Sequence, residues 1–297
     1  MIGTYSSPQA FRRALEDRRK STSLRDGTDL MRLRRRVAFE RLLARLFAHP
    51  EPPWLLKGGF ALELRFACSA RSTVDLDLSV PAPLPLQLAA TTERSPQRLV
   101  PLFDSLQRAA GVDLQDGFSF LLHQPTRELM GAPGGGFRSS VVARLAGRTF
   151  AQFHLDVGLG DALVGQPDLL EGGQLLAFAG LSPVRVAAVP VAQQFAEKIH
   201  AYTRQWADRE NTRVKDLVDL VLLIQSGLLQ SEQAIRALQV TFSSRGQPIP
   251  QSPLPRPPLA WAAPYAALAA ELDLPTRTLD QAYLYLVAYW TQLRLPA

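Results

Sequence analysis

The sequence predicts an α+β protein, and three patterns carry that prediction. Residues 74–80 and three segments between residues 118 and 159 alternate polar and apolar side chains with the two-residue period of strands. After Pro190 the apolar residues recur at three- and four-residue spacing, which is the helical period. Residues 1–45 hold twelve Arg/Lys and five Asp/Glu, a net of +7, while the whole chain carries +6. The expected organisation is a basic helical N-terminal extension over 1–50, a core on a mixed sheet over 51–190 and a helical domain over 191–297.

Within the extension, a helix is expected from Thr28 to Ala48. Leu33, Val37, Phe39, Leu42, Leu43 and Leu46 can face a core, and Arg32, Arg34, Arg35, Arg36, Arg41 and Arg45 decorate it. Such a surface suits a phosphate backbone, so Arg32, Arg34, Arg35 and Arg36 are candidate RNA-binding residues. A solvated helix face explains the same residues equally well.

The core opens on Trp54-Leu-Leu-Lys-Gly-Gly-Phe-Ala-Leu-Glu-Leu-Arg65. Apolar residues enter the Gly58–Gly59 pair, and Phe60, Leu62 and Leu64 to Phe66 suggest a helix leaving it. Two glycines let the backbone approach a phosphate, and a helix start aims N–H groups at it. Sixteen residues after Gly59 stands Asp75-Leu-Asp77. On a strand Asp75, Asp77 and Ser79 share one face and Leu76, Leu78 and Val80 the other. Two adjacent carboxylates repel unless a cation lies between them, and Mg²⁺ is held by a few carboxylates, water and substrate phosphates. Each motif alone is more often a turn or a solvated strand face; their order points to a nucleotide-triphosphate site.

Residues 81–96 are Pro-rich and read as loop, and Pro96–Ala110 as a helix. Phe118–His123, Phe137–Leu145 and Thr149–Leu159 read as strands, with Ala132-Pro-Gly-Gly-Gly136 as a turn. In the last of these strands Gln152, His154 and Asp156 alternate with Phe153, Leu155 and Val157. Asp156 is therefore a candidate third carboxylate, either a ligand for a second metal or a base toward an attacking hydroxyl. His154 reads as a neighbour rather than a base. Helices are expected at Val191–Gln205, Thr212–Gln225, 262–272 and 277–293, with a Pro-rich connector over 248–258. Asp216 and Asp219 lie one helical turn apart. Trp206, Trp261 and Trp290 are expected to anchor packing.

Composition narrows the class. With 46% hydrophobic and 20% charged residues, the 297-residue chain is ordinary for a globular protein. A single cysteine, Cys68, leaves no internal disulfide framework, and no apolar run is long enough to span a membrane. The N-terminus lacks the apolar core of a signal peptide. Together these suggest a cytoplasmic protein. Only four lysines occur, Lys20, Lys57, Lys198 and Lys215, and three stand inside motif-like segments. A lysine offers a point charge to phosphate where arginine offers a planar fork.

Five segments in order, Leu-Lys57-Gly-Gly-x-Ala-Leu, Arg-Ser-Thr-x-Asp75-Leu-Asp-Leu, a strand with Leu-Asp156-Val, Glu-Lys198-Ile-His-Ala-x-x-x-Arg and Arg-x-Lys215-Asp-Leu-x-Asp-Leu, resemble the AbiEii/AbiGii-type nucleotidyltransferases. These are toxins of type IV toxin–antitoxin and abortive-infection systems. The resemblance runs from about residue 54 to the C-terminal helices. It implies a DNA polymerase β-like nucleotidyltransferase core over 51–190 and a helical domain that closes over the nucleotide. It also implies Mg²⁺, an NTP substrate, and addition of nucleotides to tRNA. Carried over, Lys57, Gly58 and Gly59 match the phosphate loop, Ser72 and Thr73 the polar residues before the metal pair, and Asp75 and Asp77 the metal ligands. Asp156 resembles the third carboxylate, Lys198 matches the helical-domain lysine, and Lys215, Asp216 and Asp219 match the last motif. A departure is that Gly59 and Phe60 supply no hydroxyl, so backbone amides must do more of the phosphate binding.

The expected reaction is in-line transfer of a nucleotidyl group from an NTP to a hydroxyl, with pyrophosphate leaving and two Mg²⁺ ions stabilising the attacking and leaving oxygens. Lys198 would neutralise triphosphate charge, and Asp216 and Asp219 would hold the lysines or position the nucleotide. The acceptor class left uppermost is RNA, with tRNA foremost, and a cognate antitoxin as a possible partner. A small-molecule nucleotidyltransferase of the antibiotic-modifying kind and a non-catalytic nucleotide-binding protein are the alternatives.

Overall fold

The structure, a computed structural model, describes residues 5–49, 51–83, 99–125, 127–129, 131–204, 211–251 and 253–295. The Pro-rich stretch beyond residue 83, the first residues of the helix expected from Pro96, and Trp206 lie outside the described residues. The chain divides into two compact units. One comprises Met1–Leu64, Ser72–Gly160 and Leu169–Ala188, and the other Arg65–Arg71, Asp161–Asp168 and Val189–Ala297.

In the first unit two helices precede the sheet. Helix α1 (Pro8–Asp26) begins with Ser7, whose hydroxyl accepts from the Ala10 amide, and Pro8 fits a first helical position that needs no N–H donor. It ends at Gly27 in the left-handed conformation. Helix α2 (Leu30–Leu46) is capped by Asp29, whose carboxylate accepts from the Arg32 amide at 2.7 Å. Its apolar residues Leu33, Val37, Phe39, Leu42, Leu43 and Leu46 are buried, as their spacing required. Phe39 packs edge-on against Phe60 and Phe153, with centroids at 5.0 and 4.8 Å.

The sheet strands are β1 (Leu55–Lys57), β2 (Asp75–Ala82), β3 (Phe118–Leu122), β4 (Arg127–Glu128), β5 (Gly136–Leu145), β6 (Arg148–Ala162), β7 (Asp168–Glu171) and β8 (Arg185–Ala188). Helix α3 (Gly58–Phe66) follows β1 directly, and α4 (Val100–Ala110) follows β2. The spatial order is β3-β5-β6-β2-β1-β8-β7, with β4 beside β5. The β1–β8 pair is parallel, while the β1–β2, β3–β5 and β5–β6 pairs are antiparallel, so the sheet is mixed. Strands β5 and β6 form a hairpin across Ala146 and Gly147, both at positive φ, the twist a two-residue hairpin turn needs. The glycine stretch before β5 folds back: the Gly134 amide donates to the Leu159 carbonyl at 2.8 Å, and a Cβ at Gly136 would stand 2.2 Å from the Val157 carbonyl oxygen.

The N-terminal arginines reach inward. Arg45 lays its fork on the fully buried carboxylate of Asp116 and also donates to the Phe118 carbonyl. Arg41 binds the same Asp116 carboxylate at 2.6 Å. Burial alone would raise the Asp116 carboxyl, but the Arg45 and Arg41 guanidinia more than offset it and hold it below its ordinary range.

The second unit is built around helices α5 (Val191–Thr203), α6 (Val214–Gln225), α7 (Ser231–Ser243), α8 (Ala262–Glu271) and α9 (Leu279–Gln292). Phe195, Ile199, Tyr202, Leu217, Leu220, Val221, Leu238, Leu286 and Trp290 are buried. Trp261 is buried too, its indole N–H donating to the Asn211 carbonyl at 2.7 Å. Helix α9 starts with a full capping box between Thr278 and Gln281. Among the described residues, no helix is long and apolar enough to cross a membrane.

Removing Asp116 would strand two buried guanidinia. Asp116→Ala should lower unfolding stability by about 3–5 kcal/mol, the cost of breaking a buried ion pair from one side. Urea denaturation followed by circular dichroism reads this out, and an unchanged midpoint would show that the arginines find other partners.

Candidate active site

The site begins where β1 turns into α3. Lys57 is the last residue of β1 and lies opposite Asp77 of β2. The next residue, Gly58, has φ +69°, a conformation that side chains resist. A Cβ there would also lie 2.0 Å from a carboxylate oxygen of Asp77. Glycine is thus required twice, by the turn and by the carboxylate pressed against it. Helix α3 starts at this residue, and the first turn of a helix favours an anion. Lys57 runs beside β6, where a Cβ on Gly158 would come within 3.0 Å of its ammonium nitrogen.

The segment entering β2 is tied down from both sides. Glu63 of α3 is buried, accepts from the Thr73 amide at 2.7 Å and pairs with Arg32 at 3.4 Å. Burial pushes the Glu63 carboxyl up, and these contacts pull against it. The Thr73 hydroxyl donates to the Asp75 carbonyl, and Ser72 accepts from Arg35 at 3.2 Å.

Strand β2 alternates as its sequence implies: Leu76 and Leu78 are fully buried, and Asp75 and Asp77 half-buried. Strand β6 is its neighbour, with Phe153, Leu155 and Val157 buried, His154 exposed and Asp156 half-buried. His154 Nδ1 stands 3.3 Å from Asp75 Oδ1. Both oxygens of Asp156 accept from Arg138 of β5, its register partner across the β5–β6 pair. The same guanidinium lies 3.3 Å from Asp75 Oδ2. The hydrogen-bonded Asp156 carboxylate, with Asp75 and Asp77 nearby, holds the Arg138 guanidinium above its ordinary pKa against partial burial.

Sequence reasoning missed Arg138. Its only signal was a polar position on β5 that antiparallel pairing sets across from Asp156. The donor chemistry at Asp75 and Asp77, hard carboxylate oxygens on one strand face, fits Mg²⁺. Among the described residues, no group of three His, Cys, Asp or Glu side chains is arranged to hold a metal ion.

The second unit holds its own charged cluster. The Lys198 ammonium is buried on α5 and lies 2.8 Å from Asp216 and 2.6 Å from Asp219, both on α6. Burial would push the lysine down, but the two carboxylates outweigh it and raise its pKa. Burial likewise works to raise Asp216, and Lys198 brings it below the ordinary range. Asp219 also accepts the fork of Arg71, at 3.0 and 2.8 Å, a partner that sequence reasoning had not assigned. Lys215 is exposed and stands apart from these contacts.

The candidate RNA-binding arginines are half-buried and engaged within the fold. Arg32 pairs with Glu63, Arg34 with Glu16 at 3.1 Å, Arg35 with Ser72, and Arg36 with Glu40 at 2.9 Å. The exposed bases of α1 are Arg13, Arg18, Lys20 and Arg25.

Lys198→Met should leave two buried carboxylates with less compensation and lower unfolding stability by about 3–5 kcal/mol. Lys198→Arg, which keeps the charge, should recover part of this. Thermal denaturation of both variants checks it, and equal stability of wild type and Lys198→Met would show that Arg71 alone satisfies the pair.

Comparison with known proteins agrees with this architecture. The family model for the nucleotidyl transferase AbiEii toxin of type IV toxin–antitoxin systems matches residues 41–284. Among solved structures, MenT4, a nucleotidyltransferase toxin from Mycobacterium tuberculosis H37Rv, shares the fold with a TM-score of 0.50 at 18% identity, over 87% of this chain and 89% of that one. Curated proteins yield no match. With most of its length matched, the chain belongs to the AbiEii family of nucleotidyltransferase toxins.

Proposed function

We propose that the protein moves a nucleotidyl group from an NTP to an RNA hydroxyl, most readily that of a tRNA, and so stops translation or growth. The observation that supports this best is Asp75 and Asp77 on one face of β2, with Gly58 at the start of α3 pressed against Asp77. In this reading the acceptor hydroxyl attacks the α-phosphorus in line and pyrophosphate leaves. The amides of Gly58 and Gly59, with Lys57, receive the triphosphate, and Ser72 and Thr73 steady the approach to β2. Asp75 and Asp77 would hold Mg²⁺, which when bound neutralises charge on the reacting phosphates. Asp156 fixes Arg138 beside them. For Lys198 we propose a charge set for the triphosphate, with Asp216 and Asp219 orienting it and Lys215 adding an exposed cation. A reducing, cytoplasmic setting suits a chain with one cysteine. The family implies an antitoxin partner, whose identity is left to experiment.

For the acceptor, we propose that the outer parts of Arg32, Arg34, Arg35 and Arg36, with Arg13, Arg18 and Lys20 of α1, meet a phosphate backbone. An antitoxin would use the same surface if it is acidic.

Incubation with each α-labelled NTP, Mg²⁺ and total RNA should label RNA. Asp75→Asn or Asp77→Asn should cut labelling about a thousandfold, the several kcal/mol of phosphate charge stabilisation that is lost. Gly58→Ala should cost at least about a hundredfold by displacing Asp77. Wild-type labelling by all three variants would remove these residues from the reaction.

Replacing Arg13, Arg18 and Lys20 with Gln should flatten the slope of log K for RNA against log salt by about 2, near 0.7 per lost contact. An unchanged slope in filter binding, with weakened antitoxin capture, would assign the surface to the protein partner.

A further inference from the structure

Asp75 lies beyond the end of β1, the strand that pairs with the rest of its own. The β1–β2 pairing runs from Leu55–Ser79 to Lys57–Asp77. Continued, that register would set Gly59 opposite Asp75, but Gly59 already belongs to α3. The residues that lead into Asp75, from Ser72 to Val74, belong to no helix or strand. A strand end of this kind frays unless another group takes its backbone amides.

Helix α3 supplies that group. Its buried Glu63 accepts from the Thr73 amide at 2.7 Å. The Thr73 hydroxyl then donates to the Asp75 carbonyl at 3.2 Å. Two hydrogen bonds therefore lead from α3, whose first residue presses on Asp77, to the backbone of Asp75. Glu63 is held in turn by Arg32 of α2 at 3.4 Å, and Arg35, one turn further on, donates to Ser72 at 3.2 Å. A carboxylate is a strong acceptor for a backbone amide, but burying one costs free energy that an apolar residue in the same place would not. Packing alone thus does not account for Glu63. What it supplies is a fixed acceptor at the entry to β2.

We propose that Glu63 is a positioning residue for nucleotidyl transfer: with Arg32 behind it, it clamps the Thr73 amide and so sets where Asp75 lies relative to the Gly58 turn. Arg32 then serves the site from within the fold, whatever its outer edge meets. The purpose of the clamp rests on the nucleotidyl-transfer reading, in which Asp75 serves the reacting phosphates; the exchange arm of the test does not.

Glu63→Leu keeps the packing and removes the acceptor, whereas Glu63→Gln keeps an acceptor oxygen and loses the ion pair with Arg32. Both should lower the melting midpoint, and transfer separates them. In RNA labelling with α-labelled NTP and Mg²⁺, kcat of Glu63→Leu should fall about a hundredfold through displacement of Asp75. Its KM for NTP should stay within about twofold of wild type. Glu63→Gln should keep kcat within about fivefold, near the worth of one neutral hydrogen bond. Thr73→Val, which loses only the bond to the Asp75 carbonyl, should fold and lose about tenfold in kcat. Hydrogen exchange followed by mass spectrometry should quicken at least about fivefold over residues 72–77 of Glu63→Leu, and not across the rest of the sheet. Equal losses of kcat in Glu63→Leu and Glu63→Gln, wild-type kcat in Thr73→Val, a loss confined to KM, or exchange that is unchanged or raised throughout the sheet would each overturn the proposal. If Glu63→Leu does not fold, Thr73→Val decides it together with the exchange of Glu63→Gln, which should match wild type over 72–77. If wild type labels no RNA, the acceptor reading fails and exchange alone decides the clamp.

Discussion

Three carboxylates, Asp75, Asp77 and Asp156, stand on one polar face of adjacent strands, and their mutual repulsion is the constraint that much of the first unit answers. Each answer comes from a different level of the fold. Sheet register supplies Arg138 to Asp156. A backbone turn that only glycine adopts easily makes room for Asp77. The buried leucines on the opposite face of β2 hold the strand against slipping, since a shift by one residue would send Asp75 and Asp77 into the core. The helical unit meets the same problem with different means: Asp216 and Asp219, one turn apart on α6, share Lys198, and Asp219 takes Arg71 as well. Low dielectric makes such pairs costly to break, so they fix which side chains face each other.

The basic N-terminus has a comparable internal logic. Its arginines look like a surface in composition, yet Arg41 and Arg45 converge on Asp116, Arg19 on Glu16 and the Leu30 carbonyl, and Arg12 on three carbonyls at the end of the β5–β6 hairpin. Arginine suits this work because one planar fork can satisfy several acceptors at once. The guanidinium groups also stack on aromatic surface, as where those of Arg34 and Arg19 lie over the Phe150 ring. Net charge in a segment therefore measures what is present and not what faces solvent.

How far the sequence revealed the fold follows from which interactions are local. Alternation placed β2, β3, β5 and β6, and set Asp75, Asp77 and Asp156 on polar faces, because side-chain direction on a strand depends only on position along it. Helical period placed α2, α5, α6, α8 and α9 to within a few residues. The short strands β7 and β8 were not read, since four residues give little period to detect. Helix α7 was missed as well: Ser231–Ser243 mixes polar and small residues, and its buried Ala234, Ala237 and Leu238 make a thin stripe. Arg138 and Arg71 were invisible for a different reason. Their partners lie 18 and 148 positions away in sequence, and only strand pairing or helix packing brings them together.

Helix α2 carries a lesson about where a protein starts. The family likeness begins at residue 41, inside Leu30–Leu46. Just upstream sit Val37 and Phe39, and Phe39 touches both Phe60, two residues beyond Gly58, and Phe153 on the strand that carries Asp156. The recognisable part of the chain and the part that folds together are therefore different stretches. A fragment trimmed to the family boundary would keep every motif residue and lose the aromatic wedge between the Gly58 turn and the strand that carries Asp156.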